Sequence, residues 1–291
     1  MLYVVAEHLY CFFVFCAHKR ILDVIYEIDS RMYSNYSSYL DTIDLSDIRS
    51  STFKHQPQYT GILEHVSESL GAEYLALIET EYSRISVDSV IEYVEKNDRY
   101  GGPQTYTYRT RAGIEFRCSP TSLRYVFHAL LILDHYVAKQ TQSSAIVEVG
   151  CGYGGLCLAI DHFAQVRGIL IRHYYLVDLP EAARVIDKYL SAHDVAIPWS
   201  THLAYQYGED IDDHDLFFIS NYCLTEIDPE HHTAYRDLLV KPKTKHGFIT
   251  WQTGMGCPIS RTLAMDKFVY YAEERPQTAP AHISKNYFVY F

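Results

Sequence analysis

Glu148 stands two residues before the first glycine of Gly150-Cys151-Gly152-Tyr153-Gly154-Gly155. The run it belongs to, Ala145 to Val149, is short, otherwise apolar and rich in β-branched residues. The stretch after the glycines, Leu156 to Val166, is amphipathic. This order predicts a buried strand, a tight turn and a helix N-terminus. Glycine lets the backbone approach a ligand because no Cβ intervenes. A helix start offers N–H groups that have no partner within the helix. Gly150-x-Gly152-x-x-Gly155 satisfies the dinucleotide fingerprint, a pattern of low specificity by itself. A dinucleotide turn usually keeps the position of Glu148 apolar, so that pyrophosphate rests on the helix dipole. An acid there repels phosphate and suits a cationic ligand. A strand-turn-helix with a purely structural role is the alternative.

S-adenosylmethionine (SAM) carries both a sulfonium and an ammonium. Glu-x-Gly-x-Gly-x-Gly-Gly, as it stands at Glu148 to Gly155, resembles motif I of the class I methyltransferases. The resemblance makes Glu148, Gly150, Gly152, Tyr153 and Gly154 cofactor-binding candidates. The next predicted strand, His173 to Val177, ends at Asp178, 23 positions after Gly155. In that family an acid at this place accepts hydrogen bonds from both ribose hydroxyls, and Leu179 follows it at the nucleoside. A dehydrogenase would want an acid there too, so Asp178 supports nucleoside binding without choosing between the two.

The fourth predicted strand, Leu216 to Tyr222, ends where ligands meet chemistry in an open α/β sheet. Asn221-Tyr222-Cys223-Leu224-Thr225-Glu226 is therefore the second functional stretch, with Asn221 on the cofactor side. It is not Asn-Pro-Pro-Tyr, which disfavours an amino-methylating enzyme of nucleic acids. A hydroxyl acceptor is a poor nucleophile at neutral pH and calls for a base. Glu226 is the first candidate, then His128 and His135, with Tyr222 orienting the acceptor. A carboxylate that merely stabilises a helix N-terminus is the structural reading of Glu226. Arg124, His128 and His135 fall in one angular sector of a helix that Ser119 caps and Pro120 opens, running to about Lys139. Between Arg99 and Arg124 stand five arginines, no lysine and one acid, Glu115. Such forks suit phosphate oxygens, so Arg109 and Arg124 are substrate-binding candidates; salt bridges to the acidic remainder are the alternative.

The surrounding elements must position these groups. Ile21, Leu22, Ile25 and Ile28, then Ile62, Leu63, Val66 and Leu70, then Val87, Val90, Ile91 and Val94, recur at helical spacing. Tyr33 to Tyr39 reads as a loop, and Asn97 to Pro103 as a turn. The expectation is an α-helical N-terminal cap region over 1–140, followed over 141–291 by a Rossmann-like, SAM-binding α/β domain. Further strands are predicted at Trp199 to Tyr205 and Phe248 to Trp251, a helix from Pro229 to about Val240, and a flexible Gly254-Met255-Gly256 loop. Asn286 to Tyr290 is predicted as the terminal antiparallel strand of the class I methyltransferase sheet.

The formal net charge of −11 argues against a general nucleic-acid binder. Seven cysteines without C-x-x-C spacing favour reduced thiols in a cytoplasmic setting and give no zinc signature. Fifteen histidines show no metal-ligand spacing, and no carboxylate cluster compels Mg²⁺, which stays open but is not indicated. Twenty-seven tyrosines suit carbohydrate faces and wet pockets without deciding for them. The apolar opening, Leu2 to Ala17, is broken by Glu7 and His8 and is too short to span a bilayer; a buried helix, with homodimer contact as second reading, is expected.

Three stretches together resemble the sugar O-methyltransferase (NanM-type) family. They are Asn97-Asp98…Gly101-Gly102-Pro103 leading into Ser119-Pro120-Thr121-Ser122-Leu123-Arg124-Tyr125, the turn Glu148 to Gly155, and Asp215 to Tyr222 with Glu226. The resemblance implies SAM-dependent methylation of a hydroxyl on a sugar or nucleotide-sugar, with S-adenosylhomocysteine as product. Two other classes stay open: an NAD(P)-dependent oxidoreductase, and a non-catalytic scaffold on the methyltransferase fold.

Overall fold

The computed structural model describes residues 35–139, 143–253, 270–279 and 285–291. In chain order these form α1 (residues 35–42), α2 (Pro57–Thr60), α3 (Glu68–Glu81), α4 (Val87–Asp98), a hairpin of β1 (Tyr106–Arg109) and β2 (Glu115–Cys118), and the long α5 (Pro120–Ala138). Then come β3 (Ala145–Val149), α6 (Gly155–Arg167), β4 (Tyr174–Asp178), α7 (Pro180–Ser191), β5 (Trp199–Leu203), β6 (Leu216–Asn221), α8 (Pro229–Tyr235), β7 (Thr244–Gln252), β8 (Tyr270–Glu273) and β9 (Asn286–Tyr290).

One seven-stranded sheet, in the order β5-β4-β3-β6-β7-β9-β8, organises the molecule. Strands β5, β4, β3, β6 and β7 run parallel, as crossover helices require. β9 lies between β7 and β8, antiparallel to both. This is the Rossmann-like sheet of the class I methyltransferases, with the terminal antiparallel strand placed as the sequence predicts. β3 sits at the centre, and all five of its residues are buried. Its pleat sends Ile146 to one face and Ala145, Val147 and Val149 to the other. The first face is covered by α5, α6 and α7 together with the N-terminal helices, in one continuous core that includes Leu40, Tyr59, Tyr74, Phe127, Phe163 and Tyr189. The second face packs against Tyr235, Leu239 and Val240 of α8 and the turn after it. A fully buried Leu or Phe side chain contributes about 1.5–3 kcal/mol, so cap and sheet are one cooperative body.

Several elements differ from their expectation. Residues 35–42 are helical because Tyr36 and Leu40, one turn apart, both find the core. The helix expected around Ile62 begins only at Glu68, because Ser67 accepts from Leu70 N and fixes the start there. Ile62 to Val66 is left as a connecting loop. The cap is not wholly helical, since β1 and β2 form a hairpin that local pairings hold. β8 had no clear sequence signal, and the helix expected from Pro229 to about Val240 is present, as α8 continued by a π-helical segment over Arg236–Val240 and a last turn at Lys241–Lys243. The segments around Leu2 to Ala17, Ile21 to Ile28 and Gly254 to Gly256 lie outside the described residues. Among the described residues no helix is long and apolar enough to cross a membrane.

A polar brace joins cap to sheet. The Asp98 carboxylate accepts from Ser119 N, from Ser119 Oγ at 2.8 Å and from Ser122 Oγ at 2.7 Å, so it caps α5 from the end of α4. Asn97 Nδ2 donates to Ser122 Oγ and to Tyr153 Oη at 3.1 Å. Lys54, fully buried, donates from Nζ to Asn97 O at 2.7 Å and lies 4.0 Å from the Tyr153 ring centroid. The stretches that carried the resemblance, Asn97-Asp98 and Ser119 to Ser122, thus knit two elements together. Asp98→Ala should destabilise the chain by roughly 1–3 kcal/mol, the cost of leaving buried donors unpaired. Thermal denaturation reads this directly, and an unchanged midpoint would contradict the bracing role.

Candidate functional site

The C-terminal ends of β3, β4 and β6 open into a cavity of about 890 Å³, roofed by the Ile62 to Val66 loop and the first turns of α5. Its floor is the glycine turn. Gly150, Gly152 and Gly154 have φ of +80°, +61° and +88°, a region L side chains rarely adopt. A Cβ on Gly150 would stand 2.2 Å from Cys223 Cβ, and one on Gly152 3.0 Å from Leu63 Cδ2. The two chain segments therefore approach more closely than any other residue type allows.

Glu148 lines this cavity and is 2% exposed. Tyr174 donates its hydroxyl to Oε2 at 2.8 Å. Burial pushes the carboxyl up to about 8, against the lowering effect of the Tyr174 bond, and the charge of Asp178 adds to the rise. No cation among the described residues pairs with it.

Asp178 ends β4 and faces back onto the turn. Its Oδ2 accepts from Cys151 N at 2.6 Å and Gly152 N at 3.0 Å, and its Oδ1 from Leu179 N at 2.7 Å. Burial raises its pKa to about 6 although these three bonds favour the charge. A carboxylate offers about four acceptor positions, so about one remains on Oδ1. The expected pair of ribose hydroxyls meets a group already committed to holding the loop. Leu179 and Tyr205 line the cavity and are both exposed.

β6 delivers the opposite wall. Ser220 Oγ donates to Val149 O at 3.0 Å and ties the two strand ends together. Asn221 accepts from Thr250 Oγ1 at 2.7 Å, while its Nδ2 is buried with no hydrogen-bond partner. Tyr222 has φ +64°, strained for a residue with a side chain. Its hydroxyl donates to Glu274, which also accepts from Thr278 N at 2.8 Å and Asn286 Nδ2 at 3.1 Å. Glu226 lines the cavity and is half-buried, its backbone N–H bonded to Cys223 O at 2.9 Å.

From α5, Arg124 and His128 reach the same space. Arg124 is 6% exposed; its Nη2 donates to Leu63 O at 3.1 Å and its guanidinium lies 5.6 Å from the Tyr222 ring centroid. His128 is 1% exposed, and its Nε2 has no hydrogen-bond partner. Burial, then the positive charge of Arg124, pushes its pKa down to about 3, so the ring is neutral.

Glu148, Gly150, Gly152, Asp178, Leu179, Asn221, Tyr222, Glu226, Arg124 and His128 thus meet around one cavity. Others are placed elsewhere. Tyr153 points away from the cavity into the aromatic core between Tyr59, Tyr125 and Tyr189, because its hydroxyl is taken by Asn97. Gly154 caps α6 beneath Leu190. His135 is two turns beyond His128 on the same helix stripe, and its Nε2 meets Phe291 O at 3.1 Å. Arg109 pairs with Glu115 across the hairpin, and Arg111 and Arg117 bond to Thr80 and Thr105. The arginine excess is therefore mostly local pairing, apart from Arg124.

Sequence reasoning did not single out Leu63, Gln252, Glu274, Thr278 and Asn286, which complete the walls or their support. They come from a loop and the C-terminal hairpin, where no motif marks them. Asp228, Glu230 and His231, also unforeseen, bring three potential ligand atoms within 4.8 Å of one another at the cavity's edge. His231 Nδ1 is 2.8 Å from Tyr207 Oη.

No family model matches this sequence, and no curated protein does. Solved structures similar to it include an O-methyltransferase from Klebsiella pneumoniae, at 13% identity and TM-score 0.42, covering 79% of this chain and 98% of that one. Magnesium protoporphyrin IX methyltransferase from Synechocystis PCC 6803 with bound SAM aligns at 11% identity and TM-score 0.36, over 58% of this chain and 81% of that one. MtNAS in complex with MTA and tNA aligns at 16% identity and TM-score 0.36, over 92% and 97%. The strand order, and not these alignments, defines the fold described above.

Proposed function

We propose that this chain is a SAM-dependent O-methyltransferase acting on a sugar hydroxyl. One observation carries the reading: a carboxylate buried on the wall of a ligand-sized cavity, beside a left-handed glycine turn, with no cation among the described residues to pair with it. Pyrophosphate would meet that acid at the place where it needs amides alone, so an NAD(P)-dependent oxidoreductase is disfavoured. A sulfonium nucleoside complements it. In this reading Gly150 and Gly152 bring the backbone to the cofactor, Glu148 faces its positive end, Asp178 offers its last acceptor position to the ribose, and Leu179 flanks the base. The buried Nδ2 of Asn221 is a donor awaiting a ligand oxygen.

SAM supplies an electrophilic methyl group on sulfur, taken in line by an oxygen nucleophile. The protein's share is to hold the acceptor and move its proton. Tyr222, fixed by Glu274, lines the cavity together with Gln252, Thr278 and Asn286, a polar wall suited to a polyol. His128 is held too weakly basic to take a proton at neutral pH. Glu226 is the better base. Glu226→Gln should bind SAM as the parent does in calorimetry yet lose roughly a hundredfold or more in turnover, the usual scale for removing a general base. Full turnover in that variant would remove the assignment. Incubation with SAM and a panel of sugars and nucleotide-sugars, read by mass spectrometry for a methyl increment, tests the function itself. Binding of SAM without turnover on any acceptor would point to a scaffold instead.

A further inference from the structure

Arg124 lines the cavity while almost wholly buried, and most of its planar fork is unanswered. Its hydrogen bond is the one to Leu63 O, and the rings of Tyr125 and Tyr222 lie near the guanidinium. No carboxylate among the described residues forms an ion pair with it; the charge of Glu64 acts on it without a bond. A guanidinium out of water is costly unless an anion meets it. One helical turn further along α5, His128 lines the same cavity, and its buried Nε2 also lacks a partner. In the tautomer that carries the proton on Nε2, the ring is a second donor beside the fork.

His128 fixes which part of the cavity this is. Its ring centroid lies 6.1 Å from that of Tyr222, 6.5 Å from Phe248 and 5.6 Å from Phe288. Tyr222 follows β6, and the two phenylalanines belong to β7 and β9, so His128 stands on the opposite side of β3 from β4 and Asp178. Gln252 and Asn286 of the same strands complete that wall.

The sign and number of charges narrow the ligand. Glu148, Asp178, Glu226 and Asp228 line the cavity, and Arg124 is the one lysine or arginine among its described walls. A single guanidinium answers one unit of negative charge. A phosphate monoester carries about −1.5 to −2 at neutral pH, and a diphosphate linker also exceeds one unit, so either would bring surplus charge among acids. A lone carboxylate matches the fork in charge and in planar shape.

Resting on the methyltransferase reading, we propose that the acceptor is a sugar acid, whose carboxylate Arg124 grips while His128 donates to the same group. The carboxylate anchors the sugar, and one of its hydroxyls reacts. That hydroxyl's oxygen bonds to the methyl carbon, the electron pair of the C–S bond stays with sulfur, and the proton passes to the Glu226 carboxylate. Arg124 thus determines specificity by charge, and nucleotide-sugars become the poorer acceptors.

Glucuronate, galacturonate, their primary amides, glucose 1-phosphate and UDP-glucose test this. Each is titrated by calorimetry into the chain saturated with S-adenosylhomocysteine, and each is offered with SAM for turnover. The amide keeps every hydroxyl and removes only the charge. The parent should bind a uronate, and use it in kcat/KM, roughly ten- to a hundredfold better than its amide, the worth of charge-assisted bonds. Arg124→Met should bring that ratio to within about threefold of unity, and Arg124→Lys should recover part of it. Equal use of acid and amide by the parent overturns the proposal without recourse to any variant, and so does binding of S-adenosylhomocysteine with no uronate bound. Preference for the phosphate esters overturns the carboxylate assignment. A larger loss of S-adenosylhomocysteine than of uronate affinity in Arg124→Met would place the guanidinium at the cofactor and overturn it too. So would a methylated product that mild alkali cleaves, because an ester means that the carboxylate itself had reacted. Failure of the parent to bind SAM or S-adenosylhomocysteine would instead sink the methyltransferase reading beneath it.

Discussion

Glutamine in place of Glu148 should weaken SAM binding at pH 8 by roughly ten- to a hundredfold, the value of a charge-assisted contact, and should flatten its pH dependence. The carboxyl is held near 8, far above its ordinary 4.5, because burial penalises the charge. Below pH 8 the free protein therefore keeps a proton on Glu148. A cation that prefers the carboxylate must expel that proton, so affinity should climb by up to about tenfold for each pH unit as pH rises towards 8. Above that the ligand's own α-amino group, with a pKa of roughly 7.7–8.0, loses its charge and affinity should turn down. Calorimetry at pH 6, 7, 8 and 9 would show the maximum in the parent and no rising limb in Glu148→Gln. Stability runs the other way. The ligand-free fold binds more protons than the unfolded chain between about 4.5 and 8, so stability should fall as pH rises across that window. Glu148→Gln should lessen that fall, while Asp178, raised to about 6, still contributes in the same direction. A parent affinity that is level from pH 6 to 8 would mean that the acid does not meet the ligand's charge.

Asp178→Ala should eliminate measurable SAM binding and also soften the glycine turn. Three backbone N–H groups, those of Cys151, Gly152 and Leu179, lose their acceptor. Leaving such donors unsatisfied costs about 1–3 kcal/mol in stability. The loss in affinity should exceed a hundredfold, because the turn that shapes the floor and the remaining ribose acceptor go together. Asp178→Asn separates the two effects: one oxygen still accepts from Cys151 and Gly152, so stability should be largely kept while affinity falls. Normal binding by Asp178→Ala would place the nucleoside elsewhere in the cavity.

The sheet was legible because its strands follow a simple rule. Ala145 to Val149, Leu216 to Asn221 and Asn286 to Tyr290 are short, apolar and bounded by turn residues, and each is a strand. The glycines and the acids at the strand ends were legible because local chemistry fixes them: Asp178 follows β4 and Glu148 precedes the turn wherever the rest of the chain goes. The cap was less so. Ile62, Leu63 and Val66 have helical spacing yet form a loop, because one serine cap decides where α3 begins. Tyr153 sits inside the motif, but its fate depends on Asn97, 56 positions away in sequence. Arg109 and Arg124 look equivalent as letters. One lies on an exposed hairpin beside Glu115 and the other is sealed under Leu63, a difference that only tertiary packing makes.

The brace between cap and sheet makes their separation costly. Lys54, Asn97, Asp98, Ser119, Ser122, Tyr153 and Tyr189 interlock in one hydrogen-bonded layer, and parting it would leave the buried lysine and the buried serine hydroxyls without partners.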